Sequence, residues 1–572
     1  MKKTILPALA IFFTTALFAQ EALKSIEEEY YDFLSLTGAA ERPTLGYRTL
    51  SDSEWNILDE NHPWQNNNLG TKRTVWEVSE GTNWFTRGFE HNVKFKVYGP
   101  EWYNSYNSAA PYGQNDGALW QGKGYNTSLT GGARMEAFGF ELTVKPQISF
   151  SQNQSFDYLI DNNMQSETYA NKAAIYGYVW NNIDLPQRFG DGSFWHFDWG
   201  DSEIRWTWHT VTFGAGFQSP WLGSAWLNPM LGSNNAPTYP KLDAGLRRTK
   251  VYLPFCDWYI GDIEGRIWLG KLSESEYYDN NPSNDSRLLT GLSASYKPSF
   301  IPGFTFGVNR IFISNWSKHN LKYVLHLFTL GSGNTNGSQT RTGEDEDQKA
   351  SLFIDWQFPK IGFEFYGELG IDDFTSQKLA NPFHTAIYTI GVKQYIPLPF
   401  SKISNNFSDL KSELIFEWNN FEMSQDFQMQ WTYLGYYAHG SLSHGYTQKG
   451  QILGAGSGYF GNSQFLGYKI YFSKGYFMPF FHRHCPDNNY IYNMAVDTDA
   501  SHDSKTSTVN KDYYGIFKTY KTIGCEINYF VTKNFDFTAN FNISFINFPD
   551  YNRYDNSGIL NYKGSLLAKY TF

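Results

Sequence analysis

The chain has few cysteines, few charges, no long apolar run beyond its first residues and no familiar catalytic motif, and each shortage excludes something. Three cysteines in 572 residues make no disulfide framework. Cys525 falls on the apolar face of an alternating segment, Cys256 sits near another and Cys485 lies in a loop-like stretch, which suits free thiols or one bond at most. Charged residues make up 18% of the chain and acids outnumber bases, for a formal net charge of −10. Such a chain is not expected to have nucleic acid as a partner. Mean hydropathy is −0.48, and past the N-terminus nothing approaches the roughly eighteen apolar residues of a membrane helix. A Gly-x-Ser-x-Gly elbow, a phosphate-cradling Gly-Lys-Ser/Thr loop and a His-Glu-x-x-His pair are all missing, so no catalytic residue is assigned and the chain is not expected to be an enzyme.

The N-terminus carries the first positive signal. In MKKTILPALAIFFTTALFAQ two lysines precede an apolar stretch that ends at the small Ala19, the pattern of an export signal over residues 1–19. Next, QEALKSIEEEYYDFLSLTG repeats Leu23, Ile26, Tyr30 and Phe33 at helical spacing with Gly38 to close it, and residues 20–90 are expected to form a small helical and irregular segment outside the main sheet.

From about residue 91 onward the period becomes two. NFDFTANFNISFINF (534–548) sets Phe535, Phe537, Ala539, Phe541, Ile543 and Phe545 against Asp536, Thr538, Asn540, Asn542 and Ser544. FELTVKPQISF (140–150), GFEFYGELG (362–370), SELIFEW (412–418) and the final LNYKGSLLAKYTF (560–572) alternate in the same way. Successive strand side chains face opposite sides, so each strand borders one apolar and one polar environment. Short turns are expected at 137–139, 263–265, 298–303, 359–362 and 532–534. Long connections are expected at about 102–125, 152–200, 220–254, 316–346, 422–445 and 475–510. Short and long links in alternation distinguish an outer-membrane barrel from a sandwich. The expected fold over residues 91–572 is therefore an all-β, transmembrane antiparallel β-barrel of about eighteen strands, with lipid outside, water within and an N-terminal periplasmic helical segment. The terminal Phe572, after an amphipathic strand, resembles the signal read by the barrel assembly machinery.

Several groups of residues stand out. Glu141, Lys145, Glu203, Arg205, Glu364, Glu368, Glu413, Glu417 and Lys563 fall on the polar face, which suits cross-strand pairs, contacts to a plug, or a charged pore. Trp102, Trp120, Trp180, Trp195, Trp199, Trp221, Trp226 and Trp431 are placed in or beside long connections, where aromatic faces suit sugar rings or an interfacial belt. His482 and His484 in FHRHC share a strand face without a second ligand pair, so no metal site is assigned. The run GEDED (343–347) is where a loop-bound divalent cation could sit, although such runs are usually only solvated.

Three stretches, GQNDGALWQGKGYNTSLTGGARM (113–135), LNPMLGSNNAPTYPKL (227–242) and DSRLLTGLSASYKPSFIPGFTFGVNR (285–310), resemble in order and spacing the capsule assembly outer-membrane barrels of the Wzi family. EDQKASLFIDWQFPKIGFEFYGELGIDD (346–373) is similar as well. The run Ser233, Asn234, Asn235, Ala236 and Pro237 is the most specific piece. The chain departs from the family at Trp221-Leu222-Gly223-Ser224-Ala225, where an aromatic pair followed by Gly-Pro-Gly is usual. The resemblance implies an outer-membrane barrel whose periplasmic mouth is closed by the N-terminal segment. It also implies loops that act as a lectin, attaching capsular or other secreted polysaccharide to the cell surface without chemistry. An open diffusion channel is the alternative.

Overall fold

The computed structural model describes residues 18–20, 24–67, 69, 74–77, 92–158, 183–279, 281–317, 324–328, 346–372, 386–422, 435–439, 442–487, 518–549 and 557–572. The period-two segments form the wall of a closed antiparallel barrel of 18 strands, once the third (Phe140–Val144 with Gln147–Ser151) and fourth (Phe194–Asp198 with Glu203–Trp208) are each counted through their breaks at Pro146 and Gly200. The last strand, Ile559–Tyr570, closes the barrel on the first, Asn92–Asn107, in register from Lys563 with Asn107 to Lys569 with Glu101. Every alternation read from the sequence points as expected: Phe535, Phe541, Ile543 and Phe545 are exposed on the outer surface, and Asp536, Asn542 and Ser544 are buried inside. All nine inward charges named from the sequence are buried in the lumen.

Some boundaries differ. The turn expected at 263–265 is not one. Those residues lie inside the strand Trp258–Ser273, and the turn before it is 254–257. The connection expected over 220–254 therefore ends at Pro240, where the strand Lys241–Leu253 begins. The connection expected from 102 begins at Ser108, the one expected to reach 200 yields to a strand at Phe194, and the one expected from 475 begins only after the strand Gly475–Cys485. Aromatic and glycine-rich strand ends look like loops in sequence because both residue types are common in each. Cys485 accordingly ends a strand and is buried, Cys256 is exposed in a turn, and the three cysteines are free. The export signal expected at 1–19 lies outside the described residues apart from its last two.

The N-terminal segment occupies the lumen, and Thr74–Glu77 joins the barrel sheet beside Asn92–Phe95, so the segment expected outside the sheet is partly within it. Its helix α1 (Ile26–Leu36) starts where the Ser25 Oγ accepts from the Glu28 N–H at 3.2 Å and ends near Gly38 in the left-handed region, φ +74°. The acids of α1 point to different sides of the lumen and meet lysines from three wall strands: Glu27 with Lys569 at 2.7 Å, Glu29 with Lys469 at 2.7 Å, and Asp32 with Lys393. Between Glu29 and Glu27 the helix stacks on aromatics, with ring centroids 4.0 Å apart for Tyr30 and Trp64 and 4.2 Å for Phe33 and Tyr471. Trp64 Nε1 donates to the carbonyls of Phe472 and Gly475, both at 3.1 Å, which fixes this cluster at the short-turn mouth.

Deeper in the lumen Asp52 sits between Arg247 Nε at 2.9 Å and an Arg266 terminal nitrogen at 3.1 Å. Those arginines continue through Glu141 and Asp243 to Arg134, Arg205 and Lys241.

Backbone N–H groups satisfy three further inward acids. Glu264 accepts the backbone N–H of Leu45, Gly46 and Tyr47 at 2.8, 3.0 and 2.7 Å. Glu368 accepts those of Ser224, Ala225 and Met230 at 2.8, 3.0 and 3.2 Å. Glu417 accepts those of Trp226, Leu227 and Asn228 at 2.8, 2.9 and 2.8 Å. The second and third of these sets belong to 217–240, a connection from the long-loop end that folds down to meet the N-terminal segment. There Trp221 and Leu222 pair with Arg48 and Tyr47, and the Gly223 N–H donates to Gly46 O at 2.8 Å. Gly223 has φ +88°, and a Cβ there would lie 2.1 Å from Glu368 Oε1, so a side chain is excluded.

Two outcomes follow from these pairings. Asp52→Asn takes one of two carboxylates from each of Arg247 and Arg266, which keep Glu141 and Asp243, and thermal unfolding in detergent should show a loss of about 1.5–3 kcal/mol. Burial pushes the Glu29 carboxyl up, but the ammonium groups of Lys24 and Lys469 prevail and hold it at about 2. With its folded value below an unfolded value of about 4.3, Glu29 adds stability above that pH and loses it as the pH falls toward the folded value. Planar-bilayer conductance should therefore rise as the plug loosens below about pH 4.3, less so in Glu29→Gln; a flat trace for the native protein down to pH 2 would refute the latch.

Candidate functional site

The long-loop half of the lumen is divided. On one side the connection 217–240 and residues 435–439 and 442–461 pack into an apolar mass with Met230, Leu231, Tyr437, Tyr446, Ile452 and Leu453 against Trp268, Leu289 and Ile311 of the wall. Tyrosine hydroxyls satisfy its backbone: Tyr437 OH donates to Met230 O at 2.8 Å and Tyr446 OH to Leu231 O at 2.6 Å. The Ser-Asn-Asn-Ala-Pro run joins these loops. Ser233 Oγ donates to Gly454 O at 2.6 Å, Asn235 Nδ2 donates to Ile452 O at 3.0 Å, Asn234 O accepts from the Gly117 N–H at 2.7 Å, and Ala236 and Pro237 are buried.

On the other side a cavity of about 570 Å³ remains. Its outer wall is strands, with Tyr103, Tyr476, Phe480, His482 and Tyr520 facing inward; its inner wall is the connection 108–123 with Trp226 and Asn235; its floor is Lys24, Ile26 and Glu29 at the start of α1. The aromatic rings form a column. Tyr112 stacks on Tyr520 at 5.7 Å, Tyr520 on His484 at 5.7 Å, His484 on His482 at 5.7 Å, and Phe465 follows against His482 at 5.8 Å and Trp226 at 5.0 Å. Amides fix the inner wall: Gln114 Nε2 donates to Asn228 Oδ1 at 2.6 Å and Asn115 Nδ2 to Leu227 O at 3.0 Å. Burial holds the Asp116 carboxyl above its usual range against the pull of Lys563. Rings that can stack beside amides that can donate and accept are equipped for a polar ligand with apolar faces.

The tryptophans named from the sequence separate into different settings. Trp120 and Trp226 line the cavity, Trp120 braced by Phe189 at 5.1 Å and Trp226 capped by Lys24 Nζ at 4.0 Å from the ring centroid. Trp221 is buried in the lumen, its Nε1 donating to Ala225 O at 2.9 Å. Trp102 and Trp195 stand on strands and Trp199 beside one, all exposed, so the loop placement of Trp102 and Trp195 is corrected. Trp180 and Trp431 lie outside the described residues.

His482 and His484 share a face as expected, but as wall residues, bonded to Tyr112 OH at 3.2 Å and Ser457 O at 2.8 Å. Of GEDED, Glu346 and Asp347 begin a strand and pair with His326 and Lys349, so the loop reading is corrected there; 343–345 lie outside the described residues. Among the described residues, the group with metal-ligand geometry is Glu274, Asp279 and His444, whose ligand atoms lie within 4.8 Å of one another. That group was not named from the sequence, and of the column only His482, His484 and Trp226 were, each for another reason. The column had a signal, since aromatics at inward positions such as Tyr476 and Phe480 break the polar-lumen rule, whereas nothing in the spacing of Glu274 and His444 marks them as neighbours.

The family model for the capsule assembly protein Wzi matches residues 105–557. The chain belongs to the Wzi capsule assembly family. Comparison with curated proteins gave no match. Among solved structures, the Wzi of Escherichia coli, described as an outer-membrane protein involved in group 1 capsule assembly and a carbohydrate-binding β-barrel, matches with a TM-score of 0.53 at 10% identity, over 97% of this chain and 100% of its own. OccAB2 of Acinetobacter baumannii (TM-score 0.36, 11% identity, 84% and 98% covered) and OprD of Pseudomonas aeruginosa (0.36, 10%, 84% and 93%) are more distant. This Wzi-family barrel is an outer-membrane protein, so its short turns face the periplasm and its long loops the exterior.

The amide contacts of the inner wall can be tested directly. Replacing Gln114 and Asn115 together by Ala removes two hydrogen bonds, about 2 kcal/mol in all, and amide exchange over residues 112–121 should quicken roughly thirtyfold.

Proposed function

We propose that this protein attaches secreted surface polysaccharide to the cell and that the luminal cavity is where it holds the glycan, by binding alone. The observation that carries this reading is the aromatic column facing the amides of 114–121 above a floor of paired charges. Sugar rings offer an apolar face to aromatic rings and an edge of hydroxyls to amides. The ion-paired plug and infolded loops work against a freely conducting pore. Lipid covers the apolar outer face, and the strand ending in Phe572 is the element offered to the barrel assembly machinery. A divalent cation at Glu274, Asp279 and His444 on the loop side would help an acidic chain approach an acidic protein.

In a strain lacking the protein, total polysaccharide should be unchanged while the cell-bound fraction moves into the medium; an unaltered distribution would count against anchoring. With the purified barrel, Trp120→Ala and Tyr520→Ala should each weaken glycan binding about fivefold, close to the roughly 1 kcal/mol of one ring contact. Trp195→Ala, on the lipid face, should leave it unchanged. Chelation and added salt should both weaken binding, and indifference to both would remove the cation.

A further inference from the structure

We infer that the cavity takes a chain terminus of the polysaccharide and not a stretch within its length, an inference that rests on the anchoring function proposed above. A polymer held along its length needs a groove open at both ends, or a pore. Here the wall strands from Asn462–Phe472 round to Asn92–Asn107 are hydrogen-bonded into one continuous surface. The opposite wall is tied to the loop beneath it by Gln114, Asn115 and Gly117. At the bottom, Lys24 Nζ donates to Trp226 O at 2.9 Å and pairs with Glu29 at 2.9 Å, and Glu29 pairs in turn with Lys469 at 2.7 Å. A side chamber of about 270 Å³ opens beside this floor, sharing Lys24, Ile26, Tyr103, Asn115 and Asp116 with the main cavity, and the Glu27 and Lys569 pair is part of its lining. A chain entering from the loop side therefore meets the start of α1 and stops. Ring stacking runs from Tyr520 down to Trp226, so the sugars nearest the terminus make the contacts.

The test uses the full-length protein in detergent and polysaccharide extracted from its own host strain, intact or randomly sheared to known lengths, with binding followed by calorimetry. If termini are held, sites per gram rise in proportion to the chain ends created, and the shortest fragments displace the intact polymer completely. Constant sites per gram at every length would overturn the inference while leaving anchoring in place. No binding at any length would instead overturn the anchoring function, and the inference with it. Ser565→Trp, whose side chain would project into the cavity from the wall, should abolish binding while the barrel keeps its heat-modifiable mobility on gels. Full binding by that folded variant would equally overturn the inference.

Discussion

Acids on the inner wall hold the contents of this barrel in place. A carboxylate on a strand cannot move, and burying one without partners costs several kcal/mol. Glu264, Glu368 and Glu417 each meet that cost with three successive or nearby backbone N–H groups. The donors belong to irregular segments whose own N–H groups would otherwise be unsatisfied inside the protein. Neither partner is comfortable in the lumen alone, and together they define where 45–47 and 224–230 must lie. The lysines that meet α1 and the arginines around Asp52 extend the same logic with full charges.

This explains why the fold was legible in the sequence and the site was not. A period of two reports only which way a side chain points, and it did so correctly for every inward charge named, from Glu141 to Lys563. It says nothing of what lies opposite. Glu368 and Glu417 look alike in the sequence to Glu364, yet Glu364 binds Arg42 at 2.8 Å while the other two hold backbone. Strand ends rich in aromatics, such as Trp102 to Tyr106 and Phe194 to Phe197, were read as loops because the girdle of a barrel and the packing of a loop draw on the same residues. Tryptophan identity therefore pointed to two cavity residues, Trp120 and Trp226, and equally to Trp195 on the lipid face.

The lumen is also asymmetric. One half is closed by an apolar mass built from two loops, with buried tyrosines hydrogen-bonding the backbone they cover. A core of that kind resists rearrangement, since close-packed interiors transmit a local change instead of absorbing it. The other half keeps open space, and there Tyr520, His484, His482 and Phe465 of three neighbouring strands stack along the wall instead of reaching across. Filling and leaving space are thus set by which inward positions bear long charged side chains directed at a plug and which bear flat ones.

The division separates side chains that are fixed by their partners from side chains that can be exchanged. The residues that hold the plug and the loop 217–240 are strand acids, lysines and arginines together with backbone, and replacing any of them leaves a buried group short of a partner. The inner wall of the cavity is a connection, 108–123, pinned at Gln114, Asn115 and Gly117 but free to vary between those points. Side chains such as Tyr112 and Trp120 can be exchanged without disturbing a wall carboxylate. Many sequences can supply a period-two alternation, so a barrel can match Escherichia coli Wzi over 97% of its length at only 10% identity.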